Sequence, residues 1–247
     1  MVPFLLGSTA LSLSTFFEIM HEEEKLRWTS LLVREVCLGV DLPFLPTLSA
    51  IYLVRKIYAS IKLPPDILAQ VSILIASKIE EASVPLSLIS RVFNEVKLTR
   101  GGEKAKQNDL PLKVKQAEML VLASFGFVVP NIESIVHPHR FIIWLCEALV
   151  LPEHKTKVLE TSWGYLNDAT LLDLSKYKAL NVACASLALS CRDCSYNLPL
   201  LPVPWWKVIG GENEEIEAIT WDLYELTVNW QPPAWLSSLE DDQDGII

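Results

Sequence analysis

The sequence predicts an all-α protein built from two tandem five-helix units. Three observations carry this. Period-two runs bounded by hairpin turns are absent, whereas 3.6-residue periodicities broken by proline or polar clusters run through the chain. The segment Asp66–Ile79, DILAQVSILIASKI, is apolar or small around most of its circumference, which marks a helix surrounded by other helices. The same texture returns in Asn181–Cys191, NVACASLALSC.

The elements follow in order. A first helix is expected over 22–39, stopping before Asp41-Leu42-Pro43, and a second over 46–61, stopping before Pro64-Pro65. The third, 65–81, opens on a proline, which the first turn tolerates. The fourth, 86–97, follows Pro85, and the fifth spans 111–125. After a connector near Val129-Pro130-Asn131, a second set is expected at 138–150, 154–170, 176–191, 204–209 and 213–229. Ala69, Ala76 and Ser77 of the third helix are answered by Ala183, Ala185, Ser186 and Ala188, small residues that permit close helix crossings. One unit used twice, each copy around a central helix, is the economical architecture. The division is an N-terminal segment 1–28, a first unit 29–132, a second unit 133–233 and an acidic tail 234–247.

Bulk properties limit the function. The 247 residues are 51% hydrophobic and 21% charged, which suits a well-buried globular chain. No apolar run approaches the ~18 to 20 residues that cross a bilayer, so no membrane association is expected. The opening MVPFLLGSTALSLSTFF has no Lys or Arg before Lys25, and reads as a packed or docking segment rather than a secretion signal. Five cysteines do not form a disulfide framework; Cys37, Cys146 and Cys184 sit in apolar helical patterns as core residues, implying a reducing compartment. The net charge of −9 is uneven: residues 29–132 carry +3 and residues 133–247 carry −10. Phosphate repulsion therefore opposes general nucleic-acid binding by the second half.

Lys78 ends the apolar third helix. A lysine there either reaches the surface or meets a carboxylate. The fifth helix, KVKQAEMLVLASFGF, places Glu118 beside its apolar face of Val114, Ala117, Leu120, Val121 and Phe125. Lys78 and Glu118 read either as a pair, worth ~3 to 5 kcal/mol on removal of one partner if both are buried, or as two ordinary exposed helix ends. The comparable point of the second unit, Ala188-Leu189-Ser190, carries no charge, so packing of the unit does not require the lysine.

ASKIEE followed about 40 residues later by KQAEMLVLASFGF resembles the first cyclin box. His137-Pro138-His139 resembles the motif opening the second box of transcription-type cyclins. Ser162–Asp168, SWGYLND, resembles a segment of the L-type group, and Pro204-Trp205-Trp206 a motif of K-type and related cyclins. The resemblance spans residues 25 to 230. It implies two cyclin boxes and a regulatory subunit with no catalytic chemistry of its own. Its partner would be a cyclin-dependent protein kinase, bound as a heterodimer in the nucleus, with the cytoplasm also open. Lys78 and Glu118 would make the polar contact with the kinase, and Ile75, Leu122, Phe127 and Val129 would receive the hydrophobic face of its αC helix. The pathway implied is RNA polymerase II transcription or RNA processing. The alternative is a TFIIB-like or retinoblastoma-like double cyclin fold that binds DNA or peptides without a kinase. Helix 1, EKLRWTSLLVREVCLGV, lacks the substrate-recruiting patch of mitotic cyclins, and LSSLEDDQDGII carries no Arg/Ser-rich tract.

Other constellations point to no enzyme and no cofactor. Cys191-Arg192-Asp193-Cys194 with His137 and His139 could be drawn as zinc ligands, but a lone CxxC at a helix end is a weak metal signal. The basic loop Lys97–Lys106 lacks the GxxxxGK[ST] pattern of a nucleotide loop.

Overall fold

The computed structural model describes residues 13–100, 110–128, 137–198 and 202–230, with side chains from residue 21 onward. Among these residues there is no strand. The first repeat holds α1 (Leu13–Gly39), α2 (Phe44–Ser60), α3 (Pro65–Ile79), α4 (Leu86–Thr99) and α5 (Leu110–Ser124). The second holds α6 (His139–Leu149), α7 (Pro152–Ala169), α8 (Ala179–Asp193), the short α9 (Trp205–Val208) and α10 (Asn213–Val228), with a 3-10 turn at Leu174–Lys176. Most bounds fall within a few residues of those expected. The exception is α1, which starts at Leu13. A division at residue 28 therefore cuts a continuous helix, because no proline or glycine interrupts the chain between Leu13 and Gly39. Gly39 is needed for packing: a Cβ there would come within 2.5 Å of Val92 Cγ1 on α4.

The centre of the first repeat is α3, in which every residue from Ile67 to Ser77 is buried. Pro64 and Pro65 start it at a position that needs no amide donor. Its buried hydroxyls turn onto its own backbone, Ser72 Oγ to Leu68 O at 2.7 Å and Ser77 Oγ to Leu74 O at 2.9 Å. In the second repeat α8 has the same role and the same 15-residue length. Both helices close on a left-handed residue: Glu81 (φ 55) before the Ala82 N–H to Ser77 O bond, and Ser195 (φ 54) before the Tyr196 N–H to Cys191 O bond, each 2.8 Å.

A buried polar chain ties α3 to α4. Ser90 Oγ donates to Gln70 Oε1 at 2.6 Å, and Gln70 Nε2 donates to the Asp66 carbonyl. Lys97 Nζ reaches Asp66 Oδ2 at 2.8 Å, with the lysine side chain 4% exposed. Lys97 is thus no part of a solvated basic loop. It lies in the last turn of α4, while residues 101–106 lie outside the described residues. The lysine that burial forces into a pair is Lys97.

The repeats are joined by the motif residues of the second. His139 stacks edge-on against Trp163 at 4.9 Å and against Phe44 of α2 at 5.0 Å, and its Nε2 lies 3.3 Å from Asn167 Oδ1. Arg34 of α1 donates to the Asn167 carbonyl and to Asp168 Oδ1, both at 3.2 Å. Arg55 of α2 donates to Glu23 and, at 3.0 Å, to the Leu171 carbonyl. Beside this junction lies a groove of about 500 Å³ lined by α1, α2, the His137-Pro138 pair and the segment that links α7 to α8. Burial holds His139 neutral, pushing its pKa down to about 4 against the opposing Asn167 hydrogen bond, and burial also lowers His137.

Two outcomes follow from this packing. The unfolded chain takes up protons on His137 and His139 that the folded chain refuses, so stability is fully present above pH 6.5 and falls as pH drops toward about 4. Burial pushes the Glu23 carboxyl up, but the Arg55 hydrogen bonds and charge outweigh it and hold it below its usual value, so what Glu23 contributes is fully present above the ordinary carboxylate range and is lost as pH falls through it. Urea denaturation at pH 7 and pH 5 reads the loss, about 2 kcal/mol for His139, and His139→Phe flattens the dependence. Separately, Lys97→Ala leaves the Asp66 carboxylate without its lysine and costs about 3 to 5 kcal/mol in the same assay.

Candidate functional site

The turn that closes α3 delivers Lys78 to the surface. After Ser77 the helix leaves the core, and the Lys78 side chain is 50% exposed. Its Nζ donates to Glu118 Oε1 of α5. The glutamate is the sheltered partner, 13% exposed beside the buried Val114, Ala117 and Val121. The open alternatives for Lys78 therefore both hold: it reaches solvent and it meets a carboxylate. Because it is half-exposed, the pair belongs with surface ion pairs worth about 0 to 1 kcal/mol rather than with buried ones.

The remaining expected residues divide. Leu122 sits one turn beyond Glu118 on the same side of α5, half-buried. A Schellman turn then ends the helix: Gly126 (φ 62) donates to the Ala123 carbonyl and Phe127 to the Leu122 carbonyl at 2.7 Å. The turn throws Phe127 and Val128 outward, 66% and 76% exposed. Ile75 is corrected: at 2% exposed it belongs to the core of the first repeat and offers no surface. One helical turn along the same helix face, Ile79 is the exposed apolar residue beside Lys78. Periodicity could have found it, since the helix leaves the core at Ser77. Val129 lies outside the described residues.

The second repeat also corrects the expected register. The left-handed turns align Glu81 with Ser195, so Lys78 corresponds to Arg192, two positions beyond the uncharged Ala188–Ser190. Small-residue texture alone slid the comparison. The buried stripe Val114, Ala117, Val121 of α5 corresponds to Ile216, Ile219, Leu223 of α10, which puts Thr220 where Glu118 stands. The basic residue is repeated but the carboxylate is not. Arg192 instead lies over the Tyr224 ring at 5.8 Å and 3.4 Å from its neighbour Asp193. Among the described residues, a Lys–Glu pair between the third and fifth helices is a feature of the first repeat.

The thiol chemistry is quiet. Cys191 and Cys194 are free, and burial pushes the Cys191 thiol up to about 12. Among the described residues no group of three or more His, Cys, Asp or Glu side chains comes together to hold a metal.

No family model matches the chain. It is 29% identical over 188 residues to the cyclin L homolog cyl-1 of Caenorhabditis elegans, covering 67% of this chain and 38% of that protein. It is 30% identical over 175 residues to Cyclin-L1 of Homo sapiens, covering 68% and 32%. With Cyclin-L2 of Homo sapiens it shares 31% over 160 residues, covering 62% and 30%. The chain thus spans about a third of the length of these relatives. Among solved structures it superposes on a chain of the yeast RNA Pol II CTD kinase CTDK-1 complex, with a TM-score of 0.63 and 14% identity over 85% of this chain and 67% of that one. It also superposes on a chain of the CAK complex from Chaetomium thermophilum bound to ATP-gamma-S, with a TM-score of 0.58 and 17% identity over 83% and 64%. At such identities these superpositions show the fold alone. The chain belongs to the cyclin family.

Lys78→Ala in the isolated chain lowers the stability read by urea denaturation by no more than about 1 kcal/mol.

Proposed function

We propose that this cyclin-family chain is a regulatory subunit that binds and activates a cyclin-dependent protein kinase, working in RNA polymerase II transcription or RNA processing in the nucleus. The observation that carries the reading is the exposed Lys78–Glu118 pair, which only the first repeat possesses. A pair that adds little to stability is free to exchange its hydrogen bonds with a partner. Lys78 supplies donors, and the sheltered Glu118 holds the ammonium in place. Around them Ile79, Leu122, Phe127 and Val128 offer apolar surface at two adjoining helix ends. Val129 would extend it.

Such a surface catalyses nothing. It acts by preferring one conformation of the kinase. An active protein kinase needs the ion pair between its β3 lysine and the glutamate of αC. A partner that binds only the form with αC swung in shifts the population by its differential affinity. Moving that equilibrium from 1:99 to 99:1 takes about 5.5 kcal/mol, which an interface of this kind supplies through apolar burial, with the ion pair fixing register. The similarity to L-type cyclins, and a fold neighbour from a polymerase CTD kinase complex, support the transcriptional setting. The −10 charge of residues 133–247 opposes the DNA-binding alternative.

A tagged full-length chain recovers a kinase and its activity from native extract, whereas Lys78→Ala/Glu118→Ala, still folded by circular dichroism, loses at least tenfold of both. Equal recovery by the two chains would show that the pair is not the kinase contact.

A further inference from the structure

The outer face of α10 is the second repeat's counterpart of the α5 surface. Ile216, Ile219, Leu223 and Leu226 bury one side of α10. Opposite them Trp221 stands 65% exposed, with Tyr224 one turn along at 37% and Val228 at 55%. An exposed tryptophan on the crest of a helix contributes little to folding. Its surroundings are acidic. Glu217 and Glu225 lie one turn to either side of Trp221 and Glu214 two turns before it, all three without an ion-pair partner among the described residues. The other carboxylates of the helix are engaged, Glu215 by the Lys178 amide and Asp222 by the Tyr177 hydroxyl. From Glu212 to Val228 there is no basic residue.

We propose that this face docks an arginine-bearing, extended segment of a protein partner. A guanidinium stacks flat on an indole while carboxylates a turn away accept its N–H groups, and Arg does both at once better than Lys. The fold already makes one such contact here, with Arg192 of α8 over Tyr224. A nucleic acid could also stack on Trp221, but its phosphates would face Glu214, Glu217 and Glu225. The surface is independent of the Lys78–Glu118 pair.

The test is fluorescence anisotropy of a labelled twelve-residue Arg/Gly peptide with the full-length chain, beside Lys/Gly and Glu/Gly peptides and a single-stranded oligonucleotide. The expected order is Arg/Gly tighter than Lys/Gly, with no binding of Glu/Gly. Trp221→Ala weakens Arg/Gly binding at least fivefold. Glu217→Gln/Glu225→Gln weakens it and reduces its salt dependence, and Lys78→Ala leaves it unchanged. Arg/Gly binding that survives Trp221→Ala, or Trp221-dependent capture of the oligonucleotide, overturns the proposal. So does sedimentation showing a dimer of the full-length chain that Trp221→Ala dissociates.

Discussion

A helix buried on every side imposes its geometry on everything around it. From Ile67 to Ser77, α3 shows no residue to water, so α1, α2, α4 and α5 must enclose it. That enclosure decides where polar atoms can go. Its serines fold back onto the helix backbone, Gln70 finds Ser90, and Asp66 at the first turn finds Lys97. It also decides where the helix can emerge. The first residue past the core is Lys78, in the last turn of the helix, and the left-handed turn at Glu81 closes the segment behind it. The accessible ammonium is a consequence of burying the helix behind it.

The repeat applies the same constraint twice and lets the consequences diverge. α8 has the length, small residues and closing turn of α3, and it too presents a cation as it leaves the core. What differs is the facing helix. Glu118 on α5 completes an ion pair, whereas α10 offers an aromatic ring to Arg192. The two repeats then meet through Phe44 from one, and His139, Trp163 and Asn167 from the other. A partner on one repeat therefore meets a surface whose orientation the other helps to set.

Much of this was legible in the chain because the signals were periodic. Nearly all helices fall where apolar spacing and prolines place them, and Lys78 with Glu118 stood out because charge interrupts apolar runs. The failures have physical causes. Ile75 came in with the cyclin resemblance, and a helix apolar on all faces offers no local pattern that would have shown that side to be covered. Lys97 was grouped with a basic loop because it adjoins a basic run, and its partner Asp66 lies 31 residues away with no local pattern linking them. Arg192 was missed because small residues repeat without fixing register; only a hydrogen-bonded turn does that. The histidine and tryptophan motifs were visible, but their use as the seam between repeats depends on Phe44, which no spacing rule connects to them.

The strength of the two lysine pairs separates structure from function. Lys97 is held out of water against Asp66, so exchanging that bond for another partner would expose an uncompensated charge. Such a pair is committed to the fold. Lys78 keeps half of its side chain in solvent, so trading its contact with Glu118 for one with an incoming backbone carbonyl costs little desolvation. The half-sheltered Glu118 keeps the ammonium from wandering, which limits the side-chain entropy lost when a partner arrives. A surface residue oriented in advance and weakly bound is what a recognition site requires, and the fold supplies it where its most buried helix comes to an end.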